Sequence, residues 1–212
     1  YIDPYTKDLN QYISYATNSL PEDSRSFECL VQDTLQDEVV LSPLNADDGK
    51  LRTYRLALAC TGEYAQYHLN NQGIPSSATD EVKKAAVLTA MNTAMTRING
   101  VFEKEIALTM VIIANNTEII FLNAGSDPYT NNNGGAMLGQ NQSTINSIIG
   151  AANYDIGHVF STGGGGIASL GSVCGSSKAQ GVTGLPQPIG DNFYINYVAH
   201  EMGHQFRANH TQ

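Results

Sequence analysis

Apolar positions are sparse and unpatterned over residues 1–48, which are polar and irregular. One apolar patch there, Val39-Val40-Leu41, predicts a short strand. The stretch closes in a turn-rich run, Asn45-Ala46-Asp47-Asp48-Gly49. Two readings fit residues 1–48: an extension or propeptide remnant wrapped on the main body, and an ordinary N-terminal part of the domain. From Leu51 the pattern strengthens. Thr53 to Leu58 alternates loosely and predicts a strand. Thr61-Gly62-Glu63 opens a helix running to about Leu69. Ser77 or Thr79 caps the next helix, with Asp80 and Glu81 at the positive end of its dipole. Val87, Met91, Ala94, Met95 and Ile98 then recur at helical spacing, a stripe that reads as core. Asn99-Gly100 predicts the stop.

Leu108 to Ala114 is almost wholly apolar, which predicts a strand covered on both faces, and Glu118 to Leu122 predicts a second strand. Asn123 to Gly135 is crowded with Asn, Gly, Asp and Pro and predicts a loop. Its Asp127 and Asn side chains offer oxygen ligands of the kind Ca2+ takes; turn chemistry explains the same composition and is preferred. Ser143 to Ile149 predicts a short helix, and Tyr154 to Ser161 a strand. The run Gly163-Gly164-Gly165-Gly166 is no phosphate loop, because the Lys-Ser/Thr that would follow is missing. It lets backbone approach backbone closely, or forms a mobile rim. Gly171 to Pro188 reads as a long Gly/Ser-rich connection. This order predicts an α/β fold, with helices against one mixed sheet.

At 212 residues the chain suits one good-sized domain. The net charge of −9, with Lys and Arg scattered, argues against nucleic-acid binding and against a basic membrane-surface helix. No apolar run is long enough to span a bilayer. The start at Tyr1, without an initiator Met or apolar leader, reads as a mature or trimmed product. An acidic, Asn- and Gly-rich, lysine-poor composition suits a secreted, extracellular protein. The cysteines, Cys29, Cys60 and Cys174, are odd in number, and each of their three pairings stays open.

The chemistry concentrates in the last segment. Tyr194, Val198, Met202 and Phe206 fall every four residues and give one apolar stripe. His200 and His204 are also four apart, so both imidazoles leave one helix face and can reach one Zn2+. Glu201 is turned about 100° from His200, beside the metal instead of on it. His210 becomes a third ligand if the chain turns back near Arg207, leaving a fourth position for water. Three-ligand zinc activates its water, and Glu201 would serve as base and then as acid. His68 and His158 lack ligand spacing and read as surface or satisfied histidines.

The run His200-Glu201-x-x-His204-x-x-Arg207-x-x-His210 resembles the extended zinc motif of the metzincins, in which the Arg207 position is usually Gly. The neighbourhood resembles the reprolysin (adamalysin-like) branch, and within it the secreted bacterial members. There a glycine-rich edge strand and a Gly-x-x-Cys segment precede the zinc helix, as Gly163 to Gly166 and Gly171-Ser-Val-Cys174 do here. The resemblance covers about Leu51 to His210. It implies a zincin-like catalytic domain with a twisted mixed sheet and the active-site helix at its C-terminal end. It also implies an endopeptidase that binds an extended protein or peptide substrate antiparallel to an edge strand within Tyr154 to Ile167. Gly163, Gly164, Gly165 and Gly166 would contact that substrate, since an edge strand offers unpaired backbone groups.

Two departures bear on this reading. Arg207 must adopt φ > 0 if the family's turn is kept, at about 1 kcal/mol. The family's methionine turn lies downstream of the third histidine, whereas this chain ends at Gln212, and Met202 inside the helix cannot replace it. Residues 49–212 are thus expected to be an upper subdomain, whose partner would be its own C-terminal part. In reprolysins the cysteine at the Cys174 position pairs beyond the zinc helix. For Cys29 the resemblance adds one reading, a propeptide thiolate on the zinc's open position, beside the disulfide and free-thiol readings. Two functions remain in play: a zinc-dependent endopeptidase, favoured by Glu201, and a non-catalytic or latent zinc-binding fragment of one, favoured by the end at Gln212.

Overall fold

The computed structural model describes residues 2–4, 12–14, 28–32 and 48–210. Strands β1 (Ile2–Pro4) and β2 (Tyr12–Ser14) pair antiparallel with each other. The strand expected at Val39 to Leu41 lies outside the described residues. The main body runs β3 (Arg52–Cys60), α1 (Gly62–Asn71), α2 (Asp80–Ile106), β4 (Leu108–Ile112), α3 (Gly134–Ile148), β5 (Ile156–Ser161), β6 (Gly166–Ala168) and β7 (Gly181–Gly184). A helical rod closes it: α4 (Gly190–Phe193), a π-helical turn (Tyr194–Ala199) and α5 (His200–Gln205). The sheet order is β4-β3-β5-β7-β6. Four strands are parallel, and β6 is an antiparallel edge. Among the described residues no helix is long and apolar enough to cross a membrane.

The period-two alternation of β3 organises the core. Leu56, Leu58 and Cys60 face one side and Ala57 and Ala59 the other, all without solvent exposure. α1, α2 and the rod cover the first side through Tyr64, Val87, Met91, Ile98, Val198 and Met202. α3 covers the second through Met137 and Ile145. Helices therefore lie on both faces of one mixed sheet, as a mostly parallel sheet requires. Thr61 caps α1 by accepting from the Tyr64 amide at 3.3 Å. Thr79, not Ser77, caps α2, accepting from Val82 at 3.4 Å.

Several expectations fail for identifiable reasons. α2 runs through Asn99-Gly100 because Asn99 does not cap; its amide donates to the Met110 carbonyl (2.8 Å) and accepts from the Met110 amide (3.0 Å). The helix ends instead at Ala107, in the left-handed region at φ 50°. β4 is covered on one face only: Leu108 and Met110 are buried, whereas Val111 is 54% exposed. Glu118 to Leu122 is no strand. A 3-10 turn (Asn116–Ile119) stands there, held by the buried Asn116 amide, which pairs with both backbone groups of Leu58 at 2.8 Å. α3 starts at Gly134, well ahead of Ser143, because Asn133 caps it through the Ala136 amide (3.0 Å). The stretch from Gly171 to Pro188 contains β7, whose glycines hid it.

Candidate metal centre

The rod is fastened before it reaches the site. The Arg97 guanidinium on α2 grips the Asp191 carboxylate at 2.9 and 2.7 Å, and Phe193 packs edge-on against Phe160 of β5. The stripe expected along the rod is buried at Val198 and Met202 and partly buried at Tyr194 and Phe206. With that side turned to the core, His200 and His204 project from another.

The chain beyond α5 brings in the third histidine. Arg207 adopts φ 78°. Its amide donates to the His204 carbonyl (2.8 Å), and the Ala208 amide donates back to Gly203 (2.9 Å). This pair of bonds is a Schellman motif, which satisfies the last carbonyls of the helix and reverses the chain. An arginine thus sits where glycine would be unstrained, its aliphatic stem over Gly171. The reversal sets His210 Nε2 3.3 Å from His200 Nε2, and His200 Nε2 is 2.9 Å from His204 Nε2. His204 Nδ1 donates to the Ala208 carbonyl at 2.6 Å, which leaves the Nε2 lone pair facing the cluster. Burial, with the neighbouring imidazoles His204 and His210, lowers the His200 pKa to about 4. A neutral imidazole is the form that binds metal.

A fourth ligand atom completes the group. Cys29 Sγ lies 3.5 Å from His204 Nε2, and one atom from each of Cys29, His200, His204 and His210 falls within 4.8 Å of all the others. Tetrahedral zinc with Zn–N of about 2.0–2.1 Å and Zn–S of about 2.3 Å needs N···N near 3.3 Å and N···S near 3.5 Å. The His200–His210 and Cys29–His204 separations fall at that spacing and the His200–His204 separation is somewhat shorter, so the donor set fits zinc. Among the described residues it is the only such group of His, Cys, Asp or Glu side chains.

Glu201 is fully buried beside this cluster, and the Cys29 thiol is a hydrogen-bonding neighbour of its carboxylate. Burial raises its pKa to about 8, against a lowering by the nearby Cys29 thiol. Gly166 faces it: a Cβ there would run into Glu201 Oε1 and the Tyr197 ring. The backbone of Gly166 is engaged too. Its carbonyl accepts from the Leu30 amide (2.9 Å) and its amide donates to the Glu28 carbonyl (3.1 Å), so residues 28–30 lie parallel to β6. The Tyr197 hydroxyl donates to the Glu28 carbonyl (2.7 Å) and accepts from its amide (3.1 Å).

A model of the M12B metallo-peptidase family, reprolysin-like, matches residues 88–211, more than half of the chain. The chain belongs to that reprolysin-like family. No curated protein matches the sequence. This family is zinc-dependent, and the reprolysin-like domain carries a histidine-rich group able to hold a metal ion.

Other expectations resolve within this reprolysin-like domain. Nothing supports Ca2+ in the loop after Leu122: the Asp127 oxygens accept from the Gly62 amide (2.7 Å) and the Tyr129 amide (2.9 Å), which is turn chemistry. Of the glycine run, Gly163 to Gly165 form the connection into β6, and only Gly166 belongs to the edge strand. Gly163 is fixed by the Ser161 hydroxyl (2.7 Å) and Gly165 by the Gly184 amide (3.0 Å), so the run serves close backbone approach. Cys60 is buried and Cys174 exposed, neither in a disulfide. His158 is buried with both ring nitrogens bonded. His68 is buried with Nε2 lacking a partner among the described residues.

Sequence reasoning singled out neither Tyr197 nor Gly166 as a neighbour of Glu201. Tyr197 does carry a signal, since it stands four residues before Glu201 and shares its face. Cys29 enters as a thiolate for the zinc only through the family resemblance; no local spacing points to it, because its partner His204 is 175 residues away.

Proposed function

We propose that the chain is a zinc-dependent endopeptidase domain acting on protein or peptide substrates. His200, His204 and His210 hold one zinc ion and Glu201 moves the protons. The observation that supports this most is the convergence of three imidazole nitrogens at ligand spacing, with a buried carboxylate beside them. Bound there, zinc polarises a carbonyl oxygen and makes water a nucleophile near neutral pH. Glu201 accepts the proton of the attacking water and delivers it to the departing amine nitrogen. The close approach allowed by Gly166 keeps the carboxylate dry and in place. The amide and carbonyl of Gly166 form the rung on which an extended substrate pairs, with Gly163, Gly164 and Gly165 shaping the approach. A secreted, extracellular setting belongs to the same proposal and rests on the acidic, lysine-poor composition.

A second reading concerns the state of this chain, and the position of Cys29 favours it. Residues 28–30 occupy the rung on β6 and present a thiol to the imidazoles, so the domain is held latent. They run parallel to the edge strand, opposite in sense to the antiparallel substrate that the family resemblance implies.

The test compares casein cleavage by zinc-loaded parent, Cys29→Ser and Cys29→Ser/Glu201→Gln. Cys29→Ser should cleave faster than the parent, a chelator should stop it, and Glu201→Gln should slow it about 10²-fold or more. Cleavage indifferent to chelator, or equal with Glu201→Gln, overturns the peptidase reading. Equal rates for parent and Cys29→Ser remove latency alone.

A further inference from the structure

On the sheet side of α5 a second polar constellation is sealed in the core. His158 on β5 and Gln205, the last residue of α5, are both fully buried. Gln205 Nε2 donates to the carbonyls of Gly157 (3.0 Å) and Lys178 (3.3 Å). Those two acceptors orient the amide, so its oxygen faces His158 Nδ1 at 2.8 Å. An amide oxygen only accepts, hence Nδ1 carries the ring proton. His158 Nε2 then accepts from the Thr183 hydroxyl of β7 at 2.8 Å. β7 is shaped to admit the pair: a Cβ on Gly181 would run into both Gln205 Oε1 and His158 Nδ1.

An apolar pair of similar volume would remove the two desolvated side chains, at the cost of the bonds they make to the Thr183 hydroxyl and the Gly157 carbonyl. The location explains why a directional bond is there instead. Gln205 is covalently next to His204, whose carbonyl accepts from the Gly171 amide (2.9 Å). Successive helical residues are turned by about 100°. Pinning Gln205 to the sheet therefore sets the rotation of the helix and turns His204, and His200 one turn before it, toward β6 and His210.

We infer that His158, acting through Gln205, is a positioning residue for the metal centre: it fixes the rotation of the zinc helix and so the aim of His200 and His204. This rests on the zinc reading above. The link is made of bond directions, which packing alone does not supply, and it reaches the ligands from the opposite side to any substrate.

The test is zinc affinity of the full chain, by competition with a chromophoric chelator, set beside urea stability of the metal-free protein. The variants are His158→Leu, Gln205→Leu, their double, His158→Asn and His204→Ala. Each leucine variant should bind zinc about 10–100-fold more weakly, the range for partners that orient a metal ligand. The double should be no weaker than the worse single, since both delete one link. It should regain urea stability without regaining zinc affinity. His158→Asn keeps an N–H donor near the Nδ1 position and should bind within about threefold of the parent. Zinc affinities within twofold of the parent in the leucine variants, or affinities that follow urea stability across the set, overturn the inference. Should a leucine variant not fold, Gln205→Asn withdraws the amide by one methylene; affinity equal to the parent's then overturns it. His204→Ala separates the two readings. If that variant binds zinc as the parent does, the ligand assignment itself fails; if it loses zinc while the His158 series does not, only the positioning role fails.

Discussion

At the scale of single residues, Arg207 and Gly166 carry the sharpest expectations. Arg207 closes a Schellman turn at φ 78°. Arg207→Gly should stabilise the chain by about 1 kcal/mol by removing left-handed strain, less a little for the stem packed on Gly171. A urea titration checks this, and a lowered midpoint would count against the strain. Gly166→Ala should do the reverse, because its methyl would meet Glu201 and the Tyr197 ring. We expect a loss of about 1–3 kcal/mol from overpacking, with casein cleavage by the Cys29→Ser form falling far more than its zinc affinity. An unchanged rate would mean that the carboxylate has room to move. This is also the scale at which the site was most legible. Two histidines and a glutamate on one helical turn are a local pattern, and so is the demand for φ > 0 at residue 207. Cys29 was legible only through the family resemblance, since no local periodicity reports a contact made across the whole domain.

At the scale of elements, inward-turned asparagines decided where sequence expectations failed. Asn99 looks like a helix stop and Asn116 falls between the two expected strands, yet each amide turns inward and pairs with both backbone groups of a strand residue. An asparagine's preference for caps and turns is a local tendency, and tertiary partners override it. Asn116→Leu should therefore cost about 2–3 kcal/mol, because it strands the Leu58 amide and carbonyl in the core. Urea unfolding measures that, and a change below about 0.5 kcal/mol would show that the backbone finds other partners. The hydrophobic elements were read well: β3, α1 and β5 stand where their patterns put them. β7 was hidden because glycines replace the apolar alternation that marks a strand, a substitution forced at Gly181 by the His158–Gln205 pair.

At the scale of the whole molecule, the buried histidines set the response to acid. Burial lowers His158 and His68 to about 4 in the folded chain, whereas an unfolded histidine titrates near ~6.5. Between those values the unfolded chain binds more protons, so stability rises with pH across the window. The contribution is complete above about 6.5 and is lost as pH falls toward 4. Asp155 acts lower, because its bond to Arg55 depresses its pKa, so its contribution is lost only in stronger acid. Glu201 works the other way, since burial holds its pKa at about 8 and favours the folded chain as pH falls from about 8. Urea midpoints of the metal-free chain should therefore decline only below about 6.5, where the histidines outnumber it, with His158→Asn flattening part of the fall. A midpoint constant down to pH 4.5 would contradict the burial of neutral imidazoles. Zinc should oppose the fall, since it binds only the folded arrangement of deprotonated ligands. The central claim is that three imidazoles converge on one ion, with the Cys29 thiol as a fourth ligand in the latent state, and X-ray absorption at the zinc edge of the loaded chain tests it most directly. Three nitrogen neighbours at about 2.0–2.1 Å and one sulfur at about 2.3 Å are predicted, with the sulfur lost in Cys29→Ser. A shell dominated by oxygen, or one unchanged in His204→Ala, would contradict it.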